Sequence, residues 1–411
     1  MIRTIPRSHI SGVIPAIPSK SAAHRLYICA ALANTPTVIT CDGTSKDIEA
    51  TKACLAAMQA GQPILPCGES GSTLRFLLPV VAALGLEADF RMEGRLPQRP
   101  LAPLDEQLQA HGVTLTRPQP DLLHVSGRLT PGAFTLPGNV SSQYISGLLF
   151  ALPLLDGEST LTVTGAVESA PYIAMTLDAL HQFGVRPELH NNVYTIAPTP
   201  YVSPGIAAVE GDWSNAAFWL CAGALSGPVT VTGLNPDSLQ GDKAIFEILS
   251  RFGANTQQSD GSFTVSPGPL TAIDIDAAAI PDLVPVLSVA AAAAKGTTRI
   301  YNAGRLRLKE SDRIQTVLAM LRSLGADAEE TADGLLIHGG KPLSGGTVDS
   351  ANDHRIAMAA AVAGTLCPVT VTGAEAVQKS YPKFWEDYEK MKAPSSPLPR
   401  GVAQSAGGLL R

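Results

Sequence analysis

The sequence predicts an α/β protein built from six copies of a unit of about 70 residues, arranged as two domains of three copies each. Three observations lead to this prediction. A short strand-like segment that ends in glycine recurs along the 411-residue chain, a long Ala-rich apolar segment precedes each copy, and an amphipathic segment with a hairpin-like stretch follows most copies. The expected order within a unit is therefore strand, helix, strand, strand, helix.

The number of copies of the recurring strand gives the number of units. Its copies end at Gly43, Gly94, Gly165, Gly233, Gly304 and Gly373. The glycines are spaced by about 70 residues, except that the first spacing is shorter by about 20 residues. The segment QAGQPILPCGES in the first unit leaves little room for a hairpin, so we expect the edge hairpin to be missing there.

The Ala-rich apolar segments are predicted to be buried helices. Most begin with Ser, Asp or Asn, which are preferred N-cap residues. Because a helix that is apolar nearly all round is buried, each unit should hold one helix inside and its strands outside. The N-terminal ends of these helices should then meet at one end of each domain. Helix N-termini carry partial positive charge and free N–H groups, so the sequence predicts an anion-attracting rim.

The overall composition excludes several classes of protein. The formal net charge is −6, which argues against a nucleic-acid-binding protein that works by bulk attraction. We find no signal peptide and no apolar run long enough to cross a bilayer, so we expect a cytoplasmic protein. The six cysteines are scattered without a CxxC pair, which favours reduced thiols over a zinc site or disulfides. Residues 393–411, rich in Pro, Ser and Gly, are predicted to be a flexible tail.

Charged and polar residues gather at the predicted helix starts, although only 16% of the chain is charged. Cations at helix N-termini oppose the helix dipole by a few tenths of a kcal/mol each, whereas each charge-assisted bond to a phosphate or carboxylate contributes about 1.5–3 kcal/mol. The pattern therefore indicates a site for polyanions. The residues are Lys20, Arg25, Arg75, Ser141, Ser142, Gln143, Asp282, His354 and Arg355, and loops add Arg99, Lys309, Glu310, Arg313 and Lys379.

Other interpretations of the same residues remain open at this point. If LKESDRI is helical, Lys309 and Arg313 lie on one face, where Glu310 and Asp312 could simply neutralise them in solvent. Arg75 is expected to form a salt bridge at its helix start. The whole chain could also be a repeat scaffold that binds another protein.

Nine short motifs, in this order along the chain, resemble one known family. They are PSKSAAHR (18–25), GESGSTLR (68–75), RPLAPL (99–104), SSQ (141–143), ESAPY (168–172), PD (281–282), LRLKESDRI (306–314), NDHRIAM (352–358) and KSYP (379–382). Together they resemble the 5-enolpyruvylshikimate-3-phosphate (EPSP) synthases over about residues 2–390. KESDR, DHR and SKS are specific as a set, although each alone would be a weak signal.

The resemblance implies a fold of two inside-out α/β barrel domains. Residues 1–18 with 212–411 would form one domain and 19–211 the other, with crossovers near 18–20 and 210–213. The implied reaction transfers the enolpyruvyl (carboxyvinyl) group of phosphoenolpyruvate to the 5-hydroxyl of 3-phosphoshikimate and releases phosphate, in the shikimate pathway to chorismate and the aromatic amino acids. Neither a metal nor an organic cofactor is implied. The expected partners are the two small-molecule substrates, without nucleic acid or membrane, and a monomer is expected.

The resemblance also assigns site residues. Those implied for 3-phosphoshikimate are Lys20, Ser21, Arg25, Ser141, Ser142, Gln143, Ser169, Asp282 and Lys309. Those implied for phosphoenolpyruvate are Lys20, Gly71, Arg99, Gln143, Arg313, Arg355 and Lys379. Asp282 is the candidate base, Glu310 the candidate for proton transfer at the methylene carbon, and Lys20 a second candidate acid. Tyr172 is expected near the substrate ring, while His354 is either a capping residue or a participant. Since these residues fall on both predicted domains, we expect the site to close when a polyanion bridges them.

Some positions depart from the family pattern. In the glycine loop Glu69 replaces the common Asn and Ser72 replaces Thr, and Phe76 stands where Pro is common. An extra acid beside the phosphoenolpyruvate glycine should weaken anion binding, so we hypothesise an altered response to glyphosate, an inhibitor of this family that occupies the same site. Arg305 stands where some members have a substrate-contacting Asn, so that contact is not carried over.

Two alternatives to this function are a related transferase and an inactive scaffold. UDP-N-acetylglucosamine enolpyruvyl transferases carry Lys-Asn where this chain has Lys20-Ser21, and usually a reactive Cys in the loop before the matching Arg-Pro. The corresponding loop here, residues 93–98, contains no Cys. A catalytically inactive scaffold of the same fold is the other alternative, and the complete set of Lys20, Asp282, Glu310 and Arg355 argues against it.

Overall fold

A computed structural model describes residues 1–392, and the predicted tail at 393–411 lies outside the described residues. The helices are α1 Lys20–Leu32, α2 Lys46–Gln59, α3 Gly71–Ala83, α4 Leu104–Ala110, α5 Ser142–Ala151, α6 Ala170–Gln182, α7 Trp213–Leu225, α8 Ile245–Phe252, α9 Val284–Ala293, α10 Arg313–Ser323, α11 His354–Ala363 and α12 Phe384–Met391. Short 3-10 helices span Leu96–Gln98, Leu152–Leu154, Gly241–Ala244, Gly304–Leu308 and Ala374–Lys379.

The strands alternate with these helices as the repeat predicts. They are β1 Ile2–Ile5, β2 Gly12–Pro15, β3 Val38–Thr40, β4 Ile64–Gly68, β5 Ala88–Met92, β6 Val113–Gln119, β7 Leu122–Gly127, β8 Ala133–Pro137, β9 Ser159–Thr164, β10 Glu188–His190, β11 Val193–Ile196, β12 Ile206–Ala208, β13 Val229–Thr232, β14 Asn255–Ser259, β15 Ser262–Ser266, β16 Asp274–Asp276, β17 Gly296–Tyr301, β18 Asp327–Glu330, β19 Leu335–Gly339, β20 Gly346–Asp349 and β21 Val369–Thr372.

Four sheets share one pattern, in which a parallel pair of strands is extended by an antiparallel hairpin. Their strand orders are β4-β5-β7-β6, β8-β9-β11-β10, β2-β13-β15-β14 and β16-β17-β19-β18. Parallel neighbours need a long connection. The buried helix supplies it between β4 and β5, β8 and β9, and β16 and β17, whereas residues 16–228 separate β2 from β13. The hairpin strands follow each other directly. The predicted order is therefore right except for one strand. Each unit has an additional strand directly before its inner helix, as in β5, α4, β6, β7, β8 and α5, and this strand forms the parallel pair.

Two sheets are shorter. The first unit contributes only the parallel pair β12-β3, so the predicted absence of its hairpin is confirmed. The last unit also lacks a hairpin, which the sequence did not lead us to expect. There, the N-terminal strand β1 takes the outer place and pairs antiparallel with β21, with Ile2 opposite Thr372. The two ends of the described chain therefore complete one sheet.

Two chain segments cross between the halves of the molecule side by side. Pro18 forms a bridge with Gly211. The amide of Ser19 donates to the carbonyl of Glu210 at 2.8 Å, and the amide of Asp212 donates to that of Ile17 at 2.8 Å. As a result, β2 belongs to one half while α1, which follows it, lies in the other. We propose these segments as the two crossovers, near 18–20 and 210–213.

The apolar side chains form two separate clusters. One is built from residues between 5 and 14 and between 213 and 391, and the other from residues between 26 and 207. The inner helices supply much of both: all of α11 is buried, as is α3 except Ser72 and α5 except Gln143. We therefore propose the predicted division, 1–18 with 212–411 and 19–211, as the two domains.

Two further observations concern the described residues as a whole. No helix within 1–392 is long and apolar enough to cross a membrane. All six cysteines are free, and all except the half-buried Cys41 are buried. This arrangement agrees with the prediction of reduced thiols.

Candidate active site

A cleft lies between the two halves, where the starts of the inner helices face each other. One half lines it with Lys20, Ser21, Arg25, Arg75, Arg99, Ser141, Ser142, Gln143 and Tyr172, and the other with Asp282, Arg305, Lys309, Glu310, His354 and Arg355. The cleft thus brings together most of the residues singled out in the sequence. Four others, Gly71, Ser169, Arg313 and Lys379, lie beside or behind its wall.

N-capping side chains fix where the inner helices begin. Ser19 accepts the amide of Ala22 at 3.3 Å, and Ser70 accepts that of Thr73 at 3.2 Å. Asp353 accepts the amide of Arg355 at 2.9 Å. Each cap satisfies a helical N–H that would otherwise lack a partner. The predicted caps are therefore confirmed at these helices, and they set the first helical turns against the cleft. The start of α9 is the exception, because its N-cap is Leu283 rather than Asp282 and makes no side-chain bond.

Asp282 is the centre of the charge network. Its carboxylate accepts from Nη1 of Arg313 at 2.7 Å, from Nη2 of Arg355 at 2.8 Å and from the hydroxyl of Tyr172 at 3.0 Å. Nζ of Lys309 lies 3.8 Å away. Burial raises the pKa of Asp282, but Arg355, Lys309 and Arg313 outweigh burial and hold the pKa well below its usual value. Asp282 is therefore ionised in this arrangement.

Glu310 is paired with the same arginine. Its Oε2 accepts from Nη2 of Arg313 at 2.7 Å, while Nε of Arg313 donates to Asp353 at 2.8 Å. Burial raises the pKa of Glu310, but Arg313 and Arg99 outweigh that effect and hold the pKa well below its usual value. Arg313 thus joins three carboxylates.

The alternative of a solvated charged helix is wrong. The segment is not continuously helical: a 3-10 helix ends at Leu308, and α10 begins only at Arg313. Lys309 therefore does not share a helical face with Arg313. Only 1% of the Arg313 side chain is exposed, and its charge is compensated by Asp282, Glu310 and Asp353 rather than by solvent.

Three titratable groups around Asp282 and Glu310 have shifted pKa values. Burial lowers the pKa of Lys309 to about 8. Burial also lowers the pKa of Lys20, but Asp47, 2.8 Å from its Nζ, and Glu310 outweigh burial and raise the pKa above its usual value. Burial and the charge of Lys20 hold the pKa of His354 well below its usual value, so the imidazole is neutral. Neither ring nitrogen of His354 has a hydrogen-bond partner within residues 1–392.

Gly71 permits two arginines to approach the start of α3. A β-carbon at this position would lie 2.6 Å from Nη1 of Arg75 and 2.6 Å from Nη1 of Arg99. Arg75 donates to Oε1 of Gln143 at 3.0 Å and to the carbonyl of Pro100 at 3.1 Å. The prediction that Arg75 forms a salt bridge is therefore wrong. Arg75 instead orients Gln143 in the cleft.

Arg25 has a clear structural role. It is 2% exposed, and its guanidinium donates to the carbonyls of Ser21 at 2.6 Å and Tyr172 at 2.8 Å and to the hydroxyl of Thr176 at 2.9 Å. These bonds join α1 to α6 and place Tyr172 against Asp282.

Ser169 and Lys379 make contacts with the opposite half. Ser169 precedes α6 with a φ of 53°, and its hydroxyl accepts from Nη2 of Arg305. Nζ of Lys379 donates to Oε2 of Glu69 at 2.8 Å and to the carbonyl of Asn352 at 2.6 Å. Both residues thus lie where the halves meet.

Two residues in or beside the cleft were not expected to be functional. Arg305 lines the cleft and pairs with Glu168 at 2.9 Å. Asp242 is buried and accepts from the hydroxyls of Ser214 and Tyr172. Burial, followed by the negative charge of Asp282, raises the pKa of Asp242 to about 7. The cation-rich run around residue 309 could have pointed to Arg305, but nothing in the local sequence marks Asp242.

Comparisons with known proteins identify relatives of this chain. Residues 57–388 match the family model described as EPSP synthase (3-phosphoshikimate 1-carboxyvinyltransferase). A protein of that name from Clostridium acetobutylicum is 41% identical, with 93% of this chain and 95% of the relative covered. Another, from Brachyspira hyodysenteriae, is 40% identical, with 96% and 99% covered.

Solved structures show the same fold. An EPSP synthase structure from Acinetobacter baumannii superposes with a TM-score of 0.77 at 24% identity, covering 95% of this chain and 98% of that one. The enolpyruvyl transferase NikO from Streptomyces tendae superposes with a TM-score of 0.72 at 19% identity, covering 96% and 99%. The fold predicted from the resemblance is therefore confirmed, and the chain belongs to the EPSP synthase family.

Proposed function

We propose that the protein transfers the carboxyvinyl group of phosphoenolpyruvate to the 5-hydroxyl of 3-phosphoshikimate and releases phosphate. This reaction is the shikimate-pathway step that leads to chorismate and the aromatic amino acids. The observation that carries the proposal is the cleft between the halves, where Asp282 and Glu310 lie among buried arginines and lysines. Two polyanionic substrates need such cations to be held next to each other, and the carboxylates can move the protons.

The two substrates would divide the cleft between them. We assign 3-phosphoshikimate to Lys20, Ser21, Arg25, Ser141, Ser142, Gln143, Ser169, Asp282 and Lys309, and phosphoenolpyruvate to Lys20, Gly71, Arg99, Gln143, Arg313, Arg355 and Lys379. Arg99 supports this division because its Nε is buried and has no hydrogen-bond partner within residues 1–392. Tyr172 would pack near the sugar-like ring, and His354 would act as a neutral group beside Glu310.

The chemistry follows as an addition and an elimination. In the addition, the 5-hydroxyl oxygen bonds to C2 of phosphoenolpyruvate, the hydroxyl proton passes to a base, and the methylene carbon C3 takes up a proton. In the elimination, C3 gives back a proton, the C2–C3 double bond re-forms, and the C2–oxygen bond to phosphate breaks. Asp282 is the proposed base, Glu310 the proposed group at C3, and Lys20 a second candidate acid. Cations around the leaving phosphate stabilise its charge.

Substrate binding would also change the pKa values of Asp282 and Glu310. The arginines that keep the pKa of Asp282 and Glu310 low are the ones assigned to phosphoenolpyruvate. A bound anion that draws Arg313 and Arg355 toward itself weakens their pairing with the acids and raises both pKa values. The acids could then exchange protons in the complex, although they are firmly ionised in the arrangement described above.

Two features of the proposal concern the molecule as a whole. Since the assigned residues lie on both halves, binding of the first polyanion should draw the halves together. Small-angle scattering with and without 3-phosphoshikimate measures that compaction, and an unchanged radius of gyration would count against it. We further propose that the protein acts as a cytoplasmic monomer.

A coupled phosphate-release assay tests the function directly. We expect phosphate release with phosphoenolpyruvate and 3-phosphoshikimate together, and none with either alone. UDP-N-acetylglucosamine in place of 3-phosphoshikimate should give no release. Activity with that acceptor would favour the related transferase, and inactivity with both, in a protein folded by circular dichroism, would favour a scaffold.

A further inference from the structure

Glu69 joins the two halves at the edge of the cleft. It directly precedes Ser70, the cap of α3, in the half formed by residues 19–211. Its Oε2 accepts from Nζ of Lys379 at 2.8 Å and from Nδ2 of Asn352 at 2.8 Å, and both of these residues belong to the other half. Lys379 also donates to the carbonyl of Asn352 at 2.6 Å. We call these three residues, Glu69, Asn352 and Lys379, the clasp.

The clasp is more than a surface ion pair. The side chain of Lys379 is 9% exposed and that of Glu69 is 31% exposed. Asn352 has a left-handed φ of 56°, and its side-chain amide and its carbonyl contact the two members of the same charge pair. Gly94 leaves the space that the Glu69 carboxylate fills, because a β-carbon there would overlap that carboxylate. The local backbone therefore accommodates this particular contact.

The negative charge of Glu69 determines how the clasp affects the binding of anionic ligands. Lys379 is a proposed ligand of phosphoenolpyruvate, and Glu69 already supplies an anion to its ammonium group. A carboxylate so placed competes with a phosphate or carboxylate for the same Lys379 donors, and repels any anion that comes near. The same bond ties the halves to each other without help from a substrate.

We propose that Glu69 is a built-in competitor of phosphoenolpyruvate at Lys379, and that its contacts limit the distance between the halves when no substrate is bound. The part of this proposal that concerns phosphoenolpyruvate rests on the proposed function, whereas the part that concerns the halves does not. Glu69 thereby sets the affinity for one substrate and the resting distance between the domains. It takes no part in proton transfer.

The first test compares Glu69→Gln with wild type in steady-state kinetics. Removing the competing charge should lower KM for phosphoenolpyruvate about two- to fivefold, the range expected for a partly exposed ion pair. KM for 3-phosphoshikimate and kcat should change less than twofold. Glu93→Gln is the matched control, because this exposed acid on the same half has no ion-pair partner within residues 1–392. An unchanged or raised KM for phosphoenolpyruvate in Glu69→Gln would overturn the competition.

The second test measures how far apart the halves lie in the absence of substrate. Small-angle scattering should give a larger radius of gyration for Glu69→Gln than for wild type and for Glu93→Gln. Salt screens such pairs, so raising the ionic strength should expand the wild type more than Glu69→Gln, because the remaining ion pair between the halves within residues 1–392, Arg305 with Glu168, is screened equally in both proteins. Identical scattering of all three proteins at every salt concentration would exclude the clasp.

Asn352→Gly separates the clasp from the charge of Glu69. Glycine tolerates the left-handed backbone, so the carbonyl contact to Lys379 should persist while the amide bond to Glu69 is lost. We expect an intermediate radius of gyration, and scattering equal to wild type would show that Asn352 is not part of the clasp. Because these measurements need no turnover, an inactive wild type would reject the proposed function and still leave the clasp open to confirmation or rejection.

Discussion

Nη1 of Arg313 lies 2.7 Å from Oδ1 of Asp282, so the first residue of α10 is bonded to an acid that precedes α9. Arg355 binds the other oxygen of the same carboxylate at 2.8 Å. Two arginines that would repel each other are thus held on one acid. The free energy that keeps these cations together comes from charge pairs in a partly desolvated cleft, where such bonds are stronger than in water. Substrate anions would have to exchange with Asp282 for these donors.

Glu310→Gln should lower kcat at least about 100-fold, because a neutral amide neither takes nor gives the proton at C3. The amide still fits beside Arg313, so binding of both substrates should change far less than kcat. Steady-state kinetics with both substrates measures this difference. Glu330→Gln, which neutralises an acid paired with Arg307 on the surface, is the control and should retain wild-type activity. Full activity of Glu310→Gln would remove Glu310 from the mechanism.

Gly71→Ala should raise KM for phosphoenolpyruvate about tenfold or more. The added methyl group would lie 2.6 Å from the guanidinium nitrogens of Arg75 and Arg99, so both flexible side chains must move away. Since no backbone atom obstructs the methyl group, the melting temperature should stay close to that of wild type. Gly304→Ala is the control, because a β-carbon there meets nothing within 4 Å. A normal KM in Gly71→Ala would show that the position of Arg99 does not matter.

Binding of 3-phosphoshikimate should weaken above pH 8 if Lys309 is one of its ligands. The pKa of Lys309 is about 8, so its ammonium is charged below that pH and neutral above it. A phosphate monoester is already a dianion in this range, so its own titration does not contribute. KM for 3-phosphoshikimate should rise by up to about tenfold near pH 9.

Two variants test whether this pH dependence comes from Lys309. Lys309→Arg keeps its charge at pH 9, so its KM should stay flat across the same range. Lys341→Arg, at an exposed surface lysine, should behave like wild type. A parallel rise of KM in Lys309→Arg would assign the titration to another group.

Asp242→Asn should change how stability depends on pH. The pKa of Asp242 is about 7 in the folded protein and about 3.9 when the chain is unfolded, so the folded state binds the extra proton between these values. Wild-type stability should therefore fall as the pH rises from about 4 to 7, by as much as about 4 kcal/mol. Tyr172, Ser214, Asp282 and Arg355 surround this carboxylate and are unchanged in the variant.

Urea unfolding at pH 5 and at pH 7.5 checks the effect. The side chain of Asp242→Asn cannot lose a proton. The free energy of unfolding of the variant, relative to that of wild type, should therefore be higher at pH 7.5 than at pH 5. Asp237→Asn, at an exposed acid in the preceding loop, should show no such difference. If the stability difference between Asp242→Asn and wild type is the same at both values, the raised pKa is refuted.

The glycine loop should govern the response to glyphosate. We expect the double variant Glu69→Asn with Ser72→Thr, which restores the common loop residues, to be inhibited at several-fold lower concentrations than wild type. The reason is that removing the Glu69 carboxylate leaves Lys379 free for an anionic inhibitor. Inhibition curves at a fixed ratio of phosphoenolpyruvate to its KM measure this effect. Coincident curves would refute the hypothesis.

The repeat and the helix starts could be predicted from the amino-acid sequence alone. Strands closed by glycine, apolar helices and N-cap residues such as Ser19, Ser70 and Asp353 are local features, decided by a few neighbouring residues. The set of basic residues at those starts could likewise be read directly, because each belongs to a short motif. The absent hairpin of the first unit followed from the length between its motifs. Resemblance to a family then supplied the roles of these residues.

Which charges pair, and how strongly they are desolvated, depends on the folded arrangement of distant elements. Arg75 binds Gln143 rather than an acid, and Glu69 meets Lys379 across the cleft, because elements far apart in sequence are packed against each other there. The pKa of Asp242 rises for the same reason: burial and the nearby charge of Asp282 arise only in the folded chain. Capping and periodicity act within a few residues, whereas Coulomb interactions and burial act through space, so the sequence could predict the former and not the latter.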